Sequence, residues 1–265
     1  MNRRVVWIIL SVIMFLSGGV LLFYFFWANG YIDPPKTAPT VSYSEFTYPS
    51  LPSEITVTST NSTDIIQPTE STAYVSPVDF EQLKATNPDI VAWLYMTTPY
   101  ISQPILMNED DTFYLTHGPT AQYDRNGSLF IENKWNNPNF EDTVSIIYGH
   151  RMSDGQMFGN LQASYEDVDL VTDPQYVVIY LKDSSKTYNI IATIPWDPNH
   201  ILFYNDFSTE SGYDEFFDEV FSLSGDGVNL VTDEKPKFGD KILILSTCLR
   251  TDRTKRYLVI AKEIA

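Results

Sequence analysis

Hydrophobic and polar positions change their spacing twice along this chain. Residues Val5 to Trp27 form 23 consecutive uncharged, largely apolar positions, enough for one helix to cross a hydrocarbon layer of roughly 30 Å. Residues 29–76 then lose apolar periodicity and carry Pro34, Pro35, Pro39, Pro49, Pro52 and Pro68 among many Ser and Thr, which predicts an extended linker. From residue 77 onward, short runs rich in β-branched and aromatic residues alternate with turn residues. The runs Ile90–Met96, Ile101–Leu106, Ser128–Glu132, Thr143–Tyr148, Tyr176–Lys182, Thr187–Pro195, Lys241–Thr247 and Tyr257–Ile264 read as about eight strands.

Several runs are apolar on both parities, Ile242-Leu243-Ile244-Leu245 for instance. That pattern suits strands covered on two sides and predicts a closed barrel with added helices. Phe80 and Leu83, ahead of Asn87-Pro88, mark a short amphipathic helix. Tyr213–Leu223 places Phe216, Phe217, Val220 and Phe221 on one face among Asp and Glu, the pattern of a helix packed on a core. The expected fold class is therefore mainly β: a barrel with peripheral helices, preceded by one transmembrane helix.

Arg3 and Arg4 precede the apolar span and no further Lys or Arg appears until Lys36, a bias that keeps the N-terminus cytoplasmic and the remainder outside. A cleavable signal peptide is the rival reading, but its apolar region runs only about 7–15 residues. The domain plan is a cytoplasmic tip and anchor at 1–28, an extracellular linker at 29–76 and a catalytic domain at 77–265.

Charge narrows the partners. Residues 77–265 carry 14 Lys or Arg against 29 Asp or Glu, which argues against nucleic acid and anionic lipid surfaces. Six of the 14 cations (Lys241, Arg250, Arg253, Lys255, Arg256 and Lys262) lie in the last 25 residues, on both sides of the one cysteine, Cys248. Such a field favours a thiolate. No phosphate-cradling glycine loop and no Cys/His metal spacing is present, so neither cofactor nor metal is expected.

Ser246-Thr247-Cys248 ends an apolar strand, and eight residues later Arg256 opens the next. A loop joining neighbouring strands would return the guanidinium beside the thiol. A cysteine that attacks an amide also needs an imidazole partner. His150 follows the strand Val144–Tyr148 through Gly149 and has a site-like placement; His117 reads as a turn residue bonded to backbone and His200 as part of a surface loop.

Three segments carry a family resemblance. Tyr148-Gly149-His150-Arg151-Met152-Ser153-Asp154-Gly155-Gln156-Met157-Phe158 resembles the histidine motif of class B sortases, Leu245-Ser246-Thr247-Cys248 their cysteine motif, and Lys255-Arg256-Tyr257-Leu258-Val259 their arginine strand. Asn87–Leu94, Thr112–His117 and Gly127–Ile131 resemble the same class in order and spacing, so the similarity covers about residues 78–265. Leu249 departs from it, standing where many class B sequences have an acidic or polar residue.

The resemblance implies a sortase-like barrel and a membrane-anchored cysteine transpeptidase, a cysteine-type peptidase by class. Cys248 would be the nucleophile, His150 the general acid and base, and Arg256 the oxyanion or backbone partner; Ser246 and Thr247 are the expected substrate contacts. The implied partners are sorting-signal peptides of secreted proteins, cleaved after Thr, and an amine of a peptidoglycan precursor or pilin as acceptor. Two other readings are weighed: an L,D-transpeptidase, whose motif places Gly before the nucleophile where this chain has Thr247, and a non-catalytic wall-binding domain, which leaves the three motifs unexplained.

Overall fold

The computed structural model describes residues 74–264. The expected anchor at 1–28 and nearly all of the linker at 29–76 lie outside the described residues. Among the described residues no helix is long and apolar enough to cross a membrane.

Helix α1 (Phe80–Thr86) opens the described fold, with the Asp79 carboxylate accepting the Gln82 N–H at its start. Strands β1 (Ile90–Thr97), β2 (Tyr100–Leu106), β3 (Leu129–Phe130) and β4 (Val144–Tyr148) follow. Next come β5 (Tyr176–Tyr180) and the long β6 (Ser185–Trp196), then helices α2 (Ile201–Tyr204) and α3 (Glu210–Ser222). The short β7 (Asn229–Leu230) precedes β8 (Ile242–Cys248) and β9 (Arg256–Glu263).

Eight strands close into the expected barrel in the order β5-β1-β2-β3-β4-β8-β9-β6, with β6 pairing back to β5; β7 adds to β6 outside that ring. Two pairings are parallel, β2 with β3 and β4 with β8, and the latter runs from Val144↔Ile242 to Tyr148↔Ser246. All eight expected strands are present. The run Ser128–Glu132 contributes only Leu129–Phe130, and β7 and α2 were not anticipated. Helix α3 starts three residues earlier than its apolar stripe, because the Thr209 hydroxyl caps it by accepting the Gly212 N–H.

Alternation along the strands divides the core. Leu243 and Leu245 of β8, Tyr257 and Val259 of β9 and Ile147 of β4 fill the barrel interior. Their neighbours Ile242, Ile244, Leu258, Ile260 and Ile146 form a second core on the outer face, under α3 and its Tyr213, Phe216, Phe217 and Val220. This double coverage is the reason those runs are apolar on both parities. Phe217 has no exposed surface, so Phe217→Ala should cost about 3–5 kcal/mol, read as a lowered midpoint in denaturant unfolding.

Candidate active site

Cys248 is the last residue of β8 and Arg256 the first of β9, and the antiparallel register sets them directly opposite one another. An Arg256 Nη1–H points at Cys248 Sγ across 3.4 Å. The connecting loop is held at its base by the Leu249 N–H donating to the Lys255 carbonyl, with the Leu249 side chain buried in the barrel core. Within the loop the Asp252 carboxylate accepts both the N–H and the hydroxyl of Thr254. The expectation that strand edges, rather than flexible loop, would carry the two groups therefore matches the fold.

His150 arrives from a distant part of the chain. Beyond the pair Tyr148↔Ser246, the Gly149 N–H donates to the Ser246 carbonyl at 3.1 Å and the Thr247 hydroxyl donates to the Gly149 carbonyl at 2.8 Å. His150, two residues past the end of β4, continues that register toward Cys248 at the end of β8. The His150 Nε2 lies 2.8 Å from the Leu115 carbonyl. A carbonyl only accepts, so Nε2 carries the hydrogen and Nδ1 is left for proton traffic.

The brace behind that contact is tight. Gly127 has φ of +62°, and a Cβ there would meet the Tyr114 oxygen at 2.5 Å and the Leu115 oxygen at 2.8 Å. Gly127→Ala should push the Leu115 carbonyl off His150 and lower kcat/KM by about 10²-fold, the scale of a 1 Å misplacement. Gly239 shares a positive φ but has nothing within 4 Å and sits before β8, at the end of that strand away from Cys248. Gly239→Ala should therefore lose stability without losing turnover, which separates strain from displacement.

Strand parity gathers the functional side chains on one surface. Tyr148, Ser246, Cys248 and Arg256 have the parity of Ile146, Ile244 and Leu258, and so belong to the outer face. Trp196 of β6, paired with Arg256, extends the row. Thr247 has the inward parity of Leu245, and its hydroxyl is engaged with Gly149. Ser246 and Thr247 are both buried, at 4% and 3% exposure.

The other basic and imidazole groups lie elsewhere. Arg250 turns to Glu166, with Nη2 to Oε1 at 2.6 Å, and Arg253 is solvent-exposed in the loop. His117 stacks on Phe113 at 3.8 Å and its Nδ1 meets the Phe113 carbonyl, the backbone-bonded turn role expected of it. His200 lies in the expected loop, where it also caps α2, and its Nε2 lies 2.8 Å from Glu132 Oε2. Among the described residues no group of three or more His, Cys, Asp and Glu side chains is arranged to hold a metal ion.

Sequence reasoning overlooked Tyr148 and Glu132. Tyr148 lies beside the Glu132 carboxylate and also feels the Arg256 charge. Burial first, then the Glu132 charge, pushes the Tyr148 phenol far above its ordinary value, so it remains a donor. Burial likewise raises the Glu132 carboxyl, against the pull of His200. Tyr148 lies inside the histidine motif, which was the available signal; Glu132 has none, because its partners are distant in sequence.

Comparison with known proteins agrees with this geometry. The sortase domain family matches residues 101–264. Sortase B of Staphylococcus aureus is 30% identical over 196 residues, covering 70% of this chain and 74% of that protein. The crystal structure of Clostridium perfringens sortase B superposes with a TM-score of 0.61 at 25% identity, covering 71% of this chain and 100% of the other. A Staphylococcus aureus sortase B–substrate complex superposes with a TM-score of 0.57 at 26% identity, covering 70% of this chain and 84% of the other. A barrel whose parallel β4 and β8 bring a histidine toward a strand-end cysteine, in a chain with these relatives, belongs to the class B sortases, a family of cysteine transpeptidases.

Proposed function

We propose that the chain is a membrane-anchored sorting enzyme in which Cys248, His150 and Arg256 transfer a peptide acyl group to an amine. The observation that carries the reading is the cross-strand pair: the thiol and the guanidinium face each other at 3.4 Å, and the β4 register leads toward them an imidazole whose Nε2 is already committed to backbone. The substrate complex known for a relative supports a peptide as the occupant of the groove.

In the proposed cycle the Cys248 thiol passes its proton to His150 Nδ1, and the resulting thiolate attacks the carbonyl carbon of a Thr in the sorting signal. The carbonyl electron pair moves to oxygen, where the Arg256 guanidinium balances the developing charge. Collapse of the adduct breaks the C–N bond, and His150 gives its Nδ1 proton to the departing amine, leaving a thioester. An acceptor amine then attacks the thioester and loses a proton to Nδ1, and the sulfur departs as thiolate. The acceptor class is a wall-precursor or pilin amine.

Ser246 shares the thiol's face and is the proposed peptide contact. Thr247 serves by tying Gly149, and with it His150, to β8. The uncharged Val5–Trp27 span and the Pro/Ser/Thr-rich segment after it support an anchored enzyme acting outside the cell, single-pass with its N-terminus inside. Membership among class B sortases does not favour the L,D-transpeptidase or the non-catalytic wall-binding reading.

Mass spectrometry of the protein incubated with Asn-Pro and Leu-Pro sorting pentapeptides tests the proposal. An acyl adduct on Cys248 that disappears when an amine is supplied is the expected result. Cleavage without any Cys248 adduct would sink it.

A further inference from the structure

The segment that follows β6 crosses the outer face of the barrel. The chain leaves β6 at Trp196, opposite Arg256, and by His200 it has reached Glu132, just beyond β3. Between β6 and β3 the sheet order is β9, β8 and β4, the strands that carry Arg256, Cys248 and the approach to His150. This segment therefore walls the outer face on which the thiol lies.

One carboxylate joins that wall to the groove floor. Glu132 has a side chain only 16% exposed; His200 Nε2 from the wall lies 2.8 Å from its Oε2, and Tyr148 from the floor lies close enough for the two to shift each other's protonation. The proton on His200 is fixed by its other bond: Nδ1 accepts the Phe203 N–H at 3.1 Å, so Nδ1 supplies the lone pair and Nε2 the hydrogen. The ring of His200 is thus used at both ends, once to cap α2 and once to hold Glu132. Trp135 lies against it, 5.4 Å from His200 and 6.0 Å from Phe203. Phe203 and Tyr204 stand exposed at 60% and 68% on the same short helix.

A helix of four residues has no stability of its own; Ile201 and Leu202 seat α2 on the outer core, and His200 fixes its start and ties it to Glu132. We propose that Glu132 is a positioning residue of the peptide groove, clasping the α2 wall to the Tyr148 floor so that the groove is already shaped when a sorting peptide arrives. The inference rests on the transpeptidase reading for the identity of the peptide. Glu132 touches neither Cys248 nor the reacting carbonyl, so the clasp acts on peptide affinity and not on bond making. An unpaired floor and wall leave the groove to be ordered by the peptide, and that ordering weakens binding.

The test measures cleavage of fluorescent Asn-Pro and Leu-Pro pentapeptides, the rate of Cys248 labelling by a small methanethiosulfonate, and peptide affinity on a Cys248→Ala background by anisotropy. Glu132→Ala should raise KM and Kd together by about tenfold, the scale of one lost charged hydrogen bond, with kcat and the labelling rate within about twofold. Glu132→Gln, which keeps one acceptor oxygen, should recover part of the loss. His200→Asn keeps a capping oxygen for α2 but cannot reach Glu132, and should behave as Glu132→Ala does.

Unchanged KM and Kd in Glu132→Ala overturn the clasp. A joint fall in kcat and labelling rate overturns it too, by placing Glu132 in the chemistry. His200→Asn with wild-type affinity beside an impaired His200→Ala reduces the histidine to a helix cap. Should Glu132→Ala fail to fold, Glu132→Gln and His200→Asn decide. Wild-type protein that binds the peptides and cleaves none removes the transpeptidase reading while the affinities still judge the clasp; binding of neither peptide removes both.

Discussion

Cys248→Ala should abolish acyl transfer and every trace of a covalent adduct, while the protein melts within a few degrees of wild type. Loss of a catalytic nucleophile commonly costs on the order of 10⁶ in rate, because the remaining groups have no bond to make. The folded state should hardly notice, since the thiol is only half-buried at the end of β8 and fills no cavity whose loss would cost several kcal/mol. Intact-mass spectra after peptide incubation, paired with a thermal melt, separate the two effects. An adduct persisting in Cys248→Ala would move the nucleophile elsewhere.

Arg256→Ala should lower kcat by about 10²–10³, the range found when a single oxyanion donor is removed. The group is set by the β8–β9 register and not by a loop, so no neighbouring cation can replace it: Arg250 is engaged with Glu166 and Arg253 faces solvent. Arg256→Lys should restore only a part of the rate, because an ammonium is a compact charge on a flexible stem and cannot present the planar fork. Single-turnover formation of the thioester is the appropriate measurement. A mutant whose acylation rate equals wild type would assign the charge balance to another donor.

Sequence and structure agree best where the information is local. The eight barrel strands show in short apolar runs, and their double-parity pattern announces cover on both faces. The Cys248–Arg256 pair is legible because one short loop joins two clear strands. His150 is harder. Its neighbour is set by a parallel pairing between strands about a hundred residues apart, and nothing local to Val144–Tyr148 says that β8 will lie beside it; the motif resemblance supplied what periodicity lacked.

The misses follow the same logic. Asn229–Leu230 and Ile201–Tyr204 are too short to show a period. Glu132 reads as the polar end of a strand, and its worth comes from Tyr148 and His200, neither of which is near it in sequence. His200 looks like loop because its role as a cap depends on a ring nitrogen meeting a backbone donor three residues on.

The barrel order also fixes when the enzyme becomes competent. β8 and β9 occupy the gap between β4 and β6, so the strands that complete the ring are the ones that deliver the sulfur and the guanidinium. A chain whose β8 and β9 are still unplaced holds its imidazole without a sulfur or a guanidinium beside it. Latency until the ring closes is thus a property of topology.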